Sequence, residues 1–254
     1  YTKFYAAFGQ QFKIGINSDF ANRDQIVQLL RFDTTQTEKG SLTSLKDYVS
    51  RMKSEQKEMY FLTGEHRETM LNNPNLEYFQ KNGIEVLLLT DPVDIIVVPS
   101  IPEFDGKKLV SIDKADVHVS SSEEAKEPST LDSALLTLFK EVLGEKVEDV
   151  LPSKRLVDSA VTLVVGKEGL DAQMERMMKM LDKDFKGGRK VLEVNMEHPL
   201  IKNLSRLQLA DAGSPLLRQY ILHLYEGALL IESNLASPAL FVRRMTEIMT
   251  DATK

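Results

Sequence analysis

Apolar residues recur at helical spacing along some stretches of the chain and form short unbroken runs along others, a mixture that predicts both helices and strands. Phe4, Phe8 and Phe12 sit four apart, on one helical face. Asn22 to Leu30 predicts a second helix with Ile26, Leu29 and Leu30 inward, and the polar stretch Thr34 to Gly40 predicts a loop. Ser44 followed by Asp47 predicts a capped helix through Lys53, because the hydroxyl can take an orphan backbone N–H. Arg51, Lys53 and Lys57 interleave with Glu55 and Glu58, as on a solvated, charge-paired helix face. Glu58 to Thr63 reads as a strand ended by Gly64. Leu76 to Asn82 reads as a short helix closed by Gly83, since glycine tolerates the left-handed conformation at a helix end. Ile84 to Leu89 is continuously apolar and predicts a strand covered on both faces. Strand, helix, strand in that order predicts a small αβα layer. Pro92 fits the first turn of a helix through Val98, and Pro99 and Pro102 end it.

The Ser-, Glu- and Pro-rich stretch Ser120 to Ser129 has little to bury and reads as a linker. It separates an expected domain at 1–119 from another at 130–254. The second domain opens on a helix with Leu131, Leu135, Leu138 and Val142 in one stripe. Val161 to Val165 and Val191 to Val194 read as strands, separated by a helix from Leu170 to Leu181. Two helices end the chain, about Leu216 to Glu232 and Pro238 to Thr250. The fold class expected is α/β (α+β).

Composition narrows the chemistry. The chain has 254 residues, 42% of them hydrophobic, enough for real cores. A net charge of -6 argues against nucleic acid, because no excess of Lys and Arg is available for phosphates. The absence of cysteine excludes disulfides and thiolate metal sites. No apolar run approaches the roughly 20 residues of a membrane-spanning helix. His66, His118, His198 and His223 are scattered without metal spacing, so structural roles are expected for all, with His198 capping or packing at a helix start before Pro199. No glycine-rich phosphate loop matches a nucleotide fingerprint. Tyr1 opens directly into a helical pattern, as an excised fragment would.

Three apolar features lack an obvious cover. Leu217, Ile221, Leu224, Ala228 and Ile231 step by four, three, four and three, the seam of a helix packed along others. Leu216, Leu222, Leu229 and Leu230 lie off that seam, and Phe241, Met245 and Ile248 form a stripe on the last helix. Either two such pairs make a four-helix bundle across a two-fold axis, or the pair folds back on its own domain. Met174, Met177, Met178, Leu181, Leu170 and Phe185 share one helical face, with Asp171, Glu175, Arg176, Lys179 and Asp182 largely opposite. That face suits a core, or a surface for varied apolar partners, because thioethers are flexible and polarisable. Ile95 to Val98 is apolar throughout, and such a run cannot lie on one face of a helix.

R-M-K-x-x-Q-K-x-x-Y-F-L-T-G from Arg51, G-I-E-V-L-L-L-T-D-P-V-D from Gly83 and E-F-D-G-K-K-L from Glu103 follow one another closely. Together with K-F-Y-A-A-F-G at Lys3, N-R-D-Q-I-V-Q-L-L-R-F at Asn22, S-K-R-L-V-D-S-A at Ser153, L-E-V-N-M-E-H-P-L-I-K-N-L at Leu192 and P-A-L-F-V-R-R-M at Pro238, these blocks resemble the heat-shock protein 90 chaperones, most nearly the bacterial branch. The resemblance covers nearly the whole chain. It implies the distal middle segment and carboxy-terminal domain of a dimeric, ATP-driven chaperone. ATP and magnesium would belong to the parent molecule, whose nucleotide-binding domain and arginine loop should precede Tyr1, so no ATPase activity and no cofactor are expected in this fragment. The resemblance further implies homodimerisation through Leu217, Ile221, Leu224, Ala228, Ile231, Phe241, Met245 and Ile248. It implies client contacts at Met174, Met177, Met178, Leu181, Ile95 and Ile96, where bacterial relatives often carry Glu-Trp in place of Ile95-Ile96. Partly folded clients and the heat-shock protein 70 system are the implied partners of the parent. The chain ends T-D-A-T-K, without an acidic tail or a retention signal, which favours a bacterial cytoplasmic origin.

Overall fold

The hydroxyl of Ser44 accepts the Asp47 N–H at 3.0 Å, and the helix behind this cap packs Tyr48 into the first of two cores. A computed structural model describes residues 1–115, 129–166, 169–170, 172–182 and 187–253, with backbone alone at 172, 173, 176, 179 and 180. It mixes helices with two small sheets, an α+β fold. Two compact units are present, Tyr1–Ile112 with Leu170–Lys186, and Asp113–Gly169 with Gly187–Lys254.

The first unit runs α1 (Thr2–Ser18), α2 (Arg23–Leu29), β1 (Asp33–Thr34), α3 (Leu45–Arg51), β2 (Glu58–Thr63), α4 (Arg67–Leu71), α5 (Glu77–Lys81), β3 (Val86–Leu89), α6 (Asp94–Val97), β4 (Glu103–Phe104) and β5 (Lys107–Ser111). Its sheet has the order β1-β3-β2-β5-β4. β2 pairs in parallel with β3 and β5, while β1 and β4 are antiparallel edges. All four residues of β3 are buried, as an unbroken apolar run requires. Asp105 and Gly106 both have positive φ, so E-F-D-G-K-K-L folds as a tight two-residue hairpin, a turn that Asp-Gly favours.

Two local expectations are corrected. Val27, not Leu29, is the buried residue of α2; the helix ends at Leu29, and Leu30 enters the core from an extended conformation. The helix α3 ends at Arg51, so no charge ladder continues along it. The Arg51 guanidinium instead donates to Glu85 at 2.9 and 2.7 Å and to Thr43 at 2.8 Å. Tyr48 is fully buried; its hydroxyl donates to the Glu85 carbonyl at 2.5 Å and accepts the Tyr60 N–H at 3.0 Å. The R-M-K and G-I-E blocks are therefore tied by polar groups that a buried sheet cannot leave unpaired.

Burial pushes the Tyr5 and Tyr60 hydroxyls up to about 12. A group whose folded pKa is raised binds more protons folded than unfolded, so its stabilisation is complete below pH 10 and is lost as pH rises toward 12. Alkaline titration followed by phenolate absorbance and circular dichroism should show ionisation of these two tyrosines together with loss of structure in this unit. Their ionisation near pH 10 with the fold intact would contradict the burial argument.

The second unit contains α7 (Thr130–Leu143), β6 (Val147–Pro152) and β7 (Val161–Val164). The chain then passes through α8 (Ala172–Leu181), grouped with the first unit, and returns as β8 (Lys190–Val194), α9 (Pro199–Ala210), α10 (Pro215–Ile231) and α11 (Pro238–Ala252). The sheet order is β6-β8-β7. Most of the expected linker lies outside the described residues; its last residue, Ser129, caps α7 in a reciprocal box with Asp132. Leu135, Leu138, Phe139 and Leu143 are the buried face of α7, whereas Leu131 is exposed and Val142 partly so. Arg155 is buried and donates to Glu193 at 3.1 Å and to the Lys114 carbonyl at 2.8 Å. The His198 Nδ1 accepts the Leu200 N–H at 3.1 Å, which starts α9.

Candidate functional site

Pro215 and Pro238 open α10 and α11, where a missing N–H costs nothing. Leu217, Ile221 and Ala228 are buried with Leu135, Phe139 and Leu163 in the core of their own unit. These three, expected in an inter-chain seam, pack here against residues of their own chain. Their spacing says that the stripe must be covered, and the sheet and α7 of the same chain supply the cover.

The rest of the pair faces outward. Leu224 is half-buried, and Ile231 and Leu230 are exposed. No residue of α11 is buried. Phe241 and Ile248 are half-buried; Phe241 stacks on His223 at 4.4 Å, and Arg244 pairs with Glu226 of α10. Val242, Met245 and Met249 step by three and four and are all exposed, Val242 at 52% and Met249 at 58%. Sequence reasoning picked out Met245 and missed its two neighbours, although their spacing carries the signal.

An open groove of about 420 Å³ is lined on α10 by His223, Leu224, Gly227, Ala228 and Ile231 and opposite by Asp158–Val161 and His198. A Cβ at Gly227 would meet nothing within 4 Å. Burial holds the His223 imidazole below its ordinary value against the pull of Glu226, with Arg244 acting in the same direction as burial. A second groove, between Gln219 and the Arg243–Asp251 side of α11, is lined by polar side chains.

The first unit carries the other candidates. In α6, Ile95 and Val97 are buried, as is Val98 just after it, and Ile96 stands out at 53% exposure. Ile95 is therefore a core residue in this arrangement, as a four-residue apolar run on a helix requires of some member. On α8, Met174, Met177 and Met178 are half-buried and Leu181 is 76% exposed. Glu175, expected on the solvated side, is buried. Asp171 and Phe185, and the side chains of Arg176 and Lys179, lie outside the described residues. Among the described residues, no group of three or more His, Cys, Asp or Glu is placed to hold a metal, and no helix is long and apolar enough to cross a membrane.

Comparison with known proteins places the sequence in a family. The profile of the Hsp90 protein family matches residues 1–254. The chain is 53% identical over 253 residues to the chaperone protein HtpG of Chlorobium phaeovibrioides, covering 98% of this chain and 40% of the relative. It is also 53% identical to the HtpG of Chlorobium luteolum, with the same two coverages. To that of Chlorobium phaeobacteroides it is 49% identical over 257 residues, covering 100% of this chain and 41% of the relative. It thus spans about 40% of the length of the curated relatives that it matches. Matched along its whole length and half identical to these chaperones, the chain belongs to the Hsp90 family.

Proposed function

We propose that this chain supplies the homodimerisation surface and part of the client-binding surface of an ATP-dependent chaperone. One observation carries the reading. α10 exposes Ile231 beside an open groove, and α11 exposes Val242, Met245 and Met249 in one stripe, apolar surface that suits a partner. A second copy of the chain, related by a two-fold axis, presents the same face and buries both as a four-helix bundle. In this reading residues 1–119 are the distal middle segment and 130–254 the dimerisation domain. ATP and magnesium chemistry lies outside the 254 residues, and the bacterial cytoplasm is the setting. Ile96, Leu181 and the methionines of α8 then meet partly folded clients through many modest contacts, which suits weak and promiscuous binding.

A dimerisation module without client affinity is the second reading, favoured by the half-burial of Met174, Met177 and Met178. Replacing Met174, Met177 and Leu181 with serine separates the two. A client surface loses about tenfold in affinity for an unfolded protein, the equivalent of ~1.4 kcal/mol, and keeps its melting point. A core helix instead loses about 2–5 kcal/mol of stability per large buried truncation.

A further inference from the structure

The helix α6 has four residues, Asp94–Val97, far below the length at which a helix holds itself in water. Its position is set from outside, and α1 supplies much of the setting. Lys13, with its side chain 7% exposed, places Nζ 2.6 Å from Asp94 Oδ1 and 3.4 Å from Asp91 Oδ2, at the start of α6. One turn further along α1, Asn17 Nδ2 donates to the Ile96 carbonyl at 3.3 Å. The Ser100 hydroxyl closes the arrangement by donating to Asn17 Oδ1 at 2.5 Å, with the Ile96 carbonyl 3.3 Å away. Between the two polar residues, Ile16 is fully buried in the same apolar cluster as Val97 and Val98. Three residues of one α1 face thus hold both ends of a single turn, and the one side chain of α6 that this leaves well exposed is Ile96.

We propose that Lys13 and Asn17 are positioning residues for Ile96: they fix the turn so that this isoleucine is presented to an apolar partner. The proposal rests on the reading of Ile96 as a client contact. A buried ammonium paired with two carboxylates is an expensive way to close a helix junction if packing were all that mattered, because an apolar pair of similar volume is commonly as stable. What the charged pair adds is a unique register: Lys13 can reach Asp94 and Asp91 together only when α6 is docked, and Asn17 then meets the Ile96 carbonyl.

Three variants test it: Ile96→Ser, Asn17→Ala and the double change Lys13→Met with Asp94→Asn, which removes the buried pair and leaves the partly exposed Asp91 to water. The readouts are hydrogen exchange at the Val97 and Ile101 amides and binding of reduced, carboxymethylated α-lactalbumin as a permanently unfolded probe. Ile96→Ser should weaken binding about fivefold through lost apolar contact. Asn17→Ala and the double variant should speed exchange at those amides about tenfold by local opening, with the melting of the rest of the chain retained. They should weaken binding in the wild-type background and add nothing in the Ile96→Ser background, as coupled positions do. If Ile96→Ser weakens binding but the α1 variants leave exchange and binding unchanged, the positioning role is overturned and the client reading stands. If Ile96→Ser leaves binding intact, both fall together.

Discussion

Replacing Ile221 with aspartate unfolds the carboxy-terminal unit and does more than separate one chain from another. Ile221 has no exposed surface and lies in the cluster that joins α10 to α7 and the sheet. Truncation to alanine alone costs about 2–5 kcal/mol at such a site. Aspartate adds the burial of a carboxylate with no partner, a further several kcal/mol. Domains of this size are stable by only about 5–15 kcal/mol in total, so most of that margin disappears. Urea unfolding followed by circular dichroism should show the native transition lost or shifted to low denaturant. A variant that remains fully folded but monomeric would mean that Ile221 faces a second chain after all.

Gly227→Arg should do the opposite, leaving the single chain intact and separating the dimer. The glycine sits inside α10, on the groove side, with open space where a side chain would go. Any ordinary residue there improves the helix by up to ~1 kcal/mol over glycine. In the proposed bundle the same space belongs to the partner, and an arginine would push a long charged side chain into a buried seam. Such a charge costs about 3–5 kcal/mol, which weakens association more than 100-fold. Gly227→Ala is the control, with stability equal or slightly raised. A dimer that tolerates the arginine would exclude this groove from the interface.

Much of the fold is legible in the sequence, because local rules and burial agree there. The strand at Glu58–Thr63, the Ser44 cap, the left-handed Gly83 and the His198 cap each follow from a residue type with one favoured use. β6 and α9 are harder to read. β6 buries only Val147 and Val150, three apart across an irregularity in its pairing, and α9 has only Ile201 and Leu204 fully inside. Arg51 and Glu85 find each other across 34 residues, which no local pattern reveals. At the site, spacing shows which residues share a stripe and not which chain covers it. Leu217, Ile221 and Ala228 make as good a seam within one protomer as between two. The spacing of Val242, Met245 and Met249 marks a stripe, and the contacts of Phe241 and Arg244 with α10 show that it is the outward one.

Sedimentation equilibrium at micromolar concentration, on the wild type beside Gly227→Arg and Met249→Asp, bears most directly on the proposed bundle. The wild type should sediment at twice the mass of one chain, and each variant should shift toward a folded monomer. A wild type that stays monomeric, or a dimer indifferent to both changes, would contradict association through the outward face of α10 and α11.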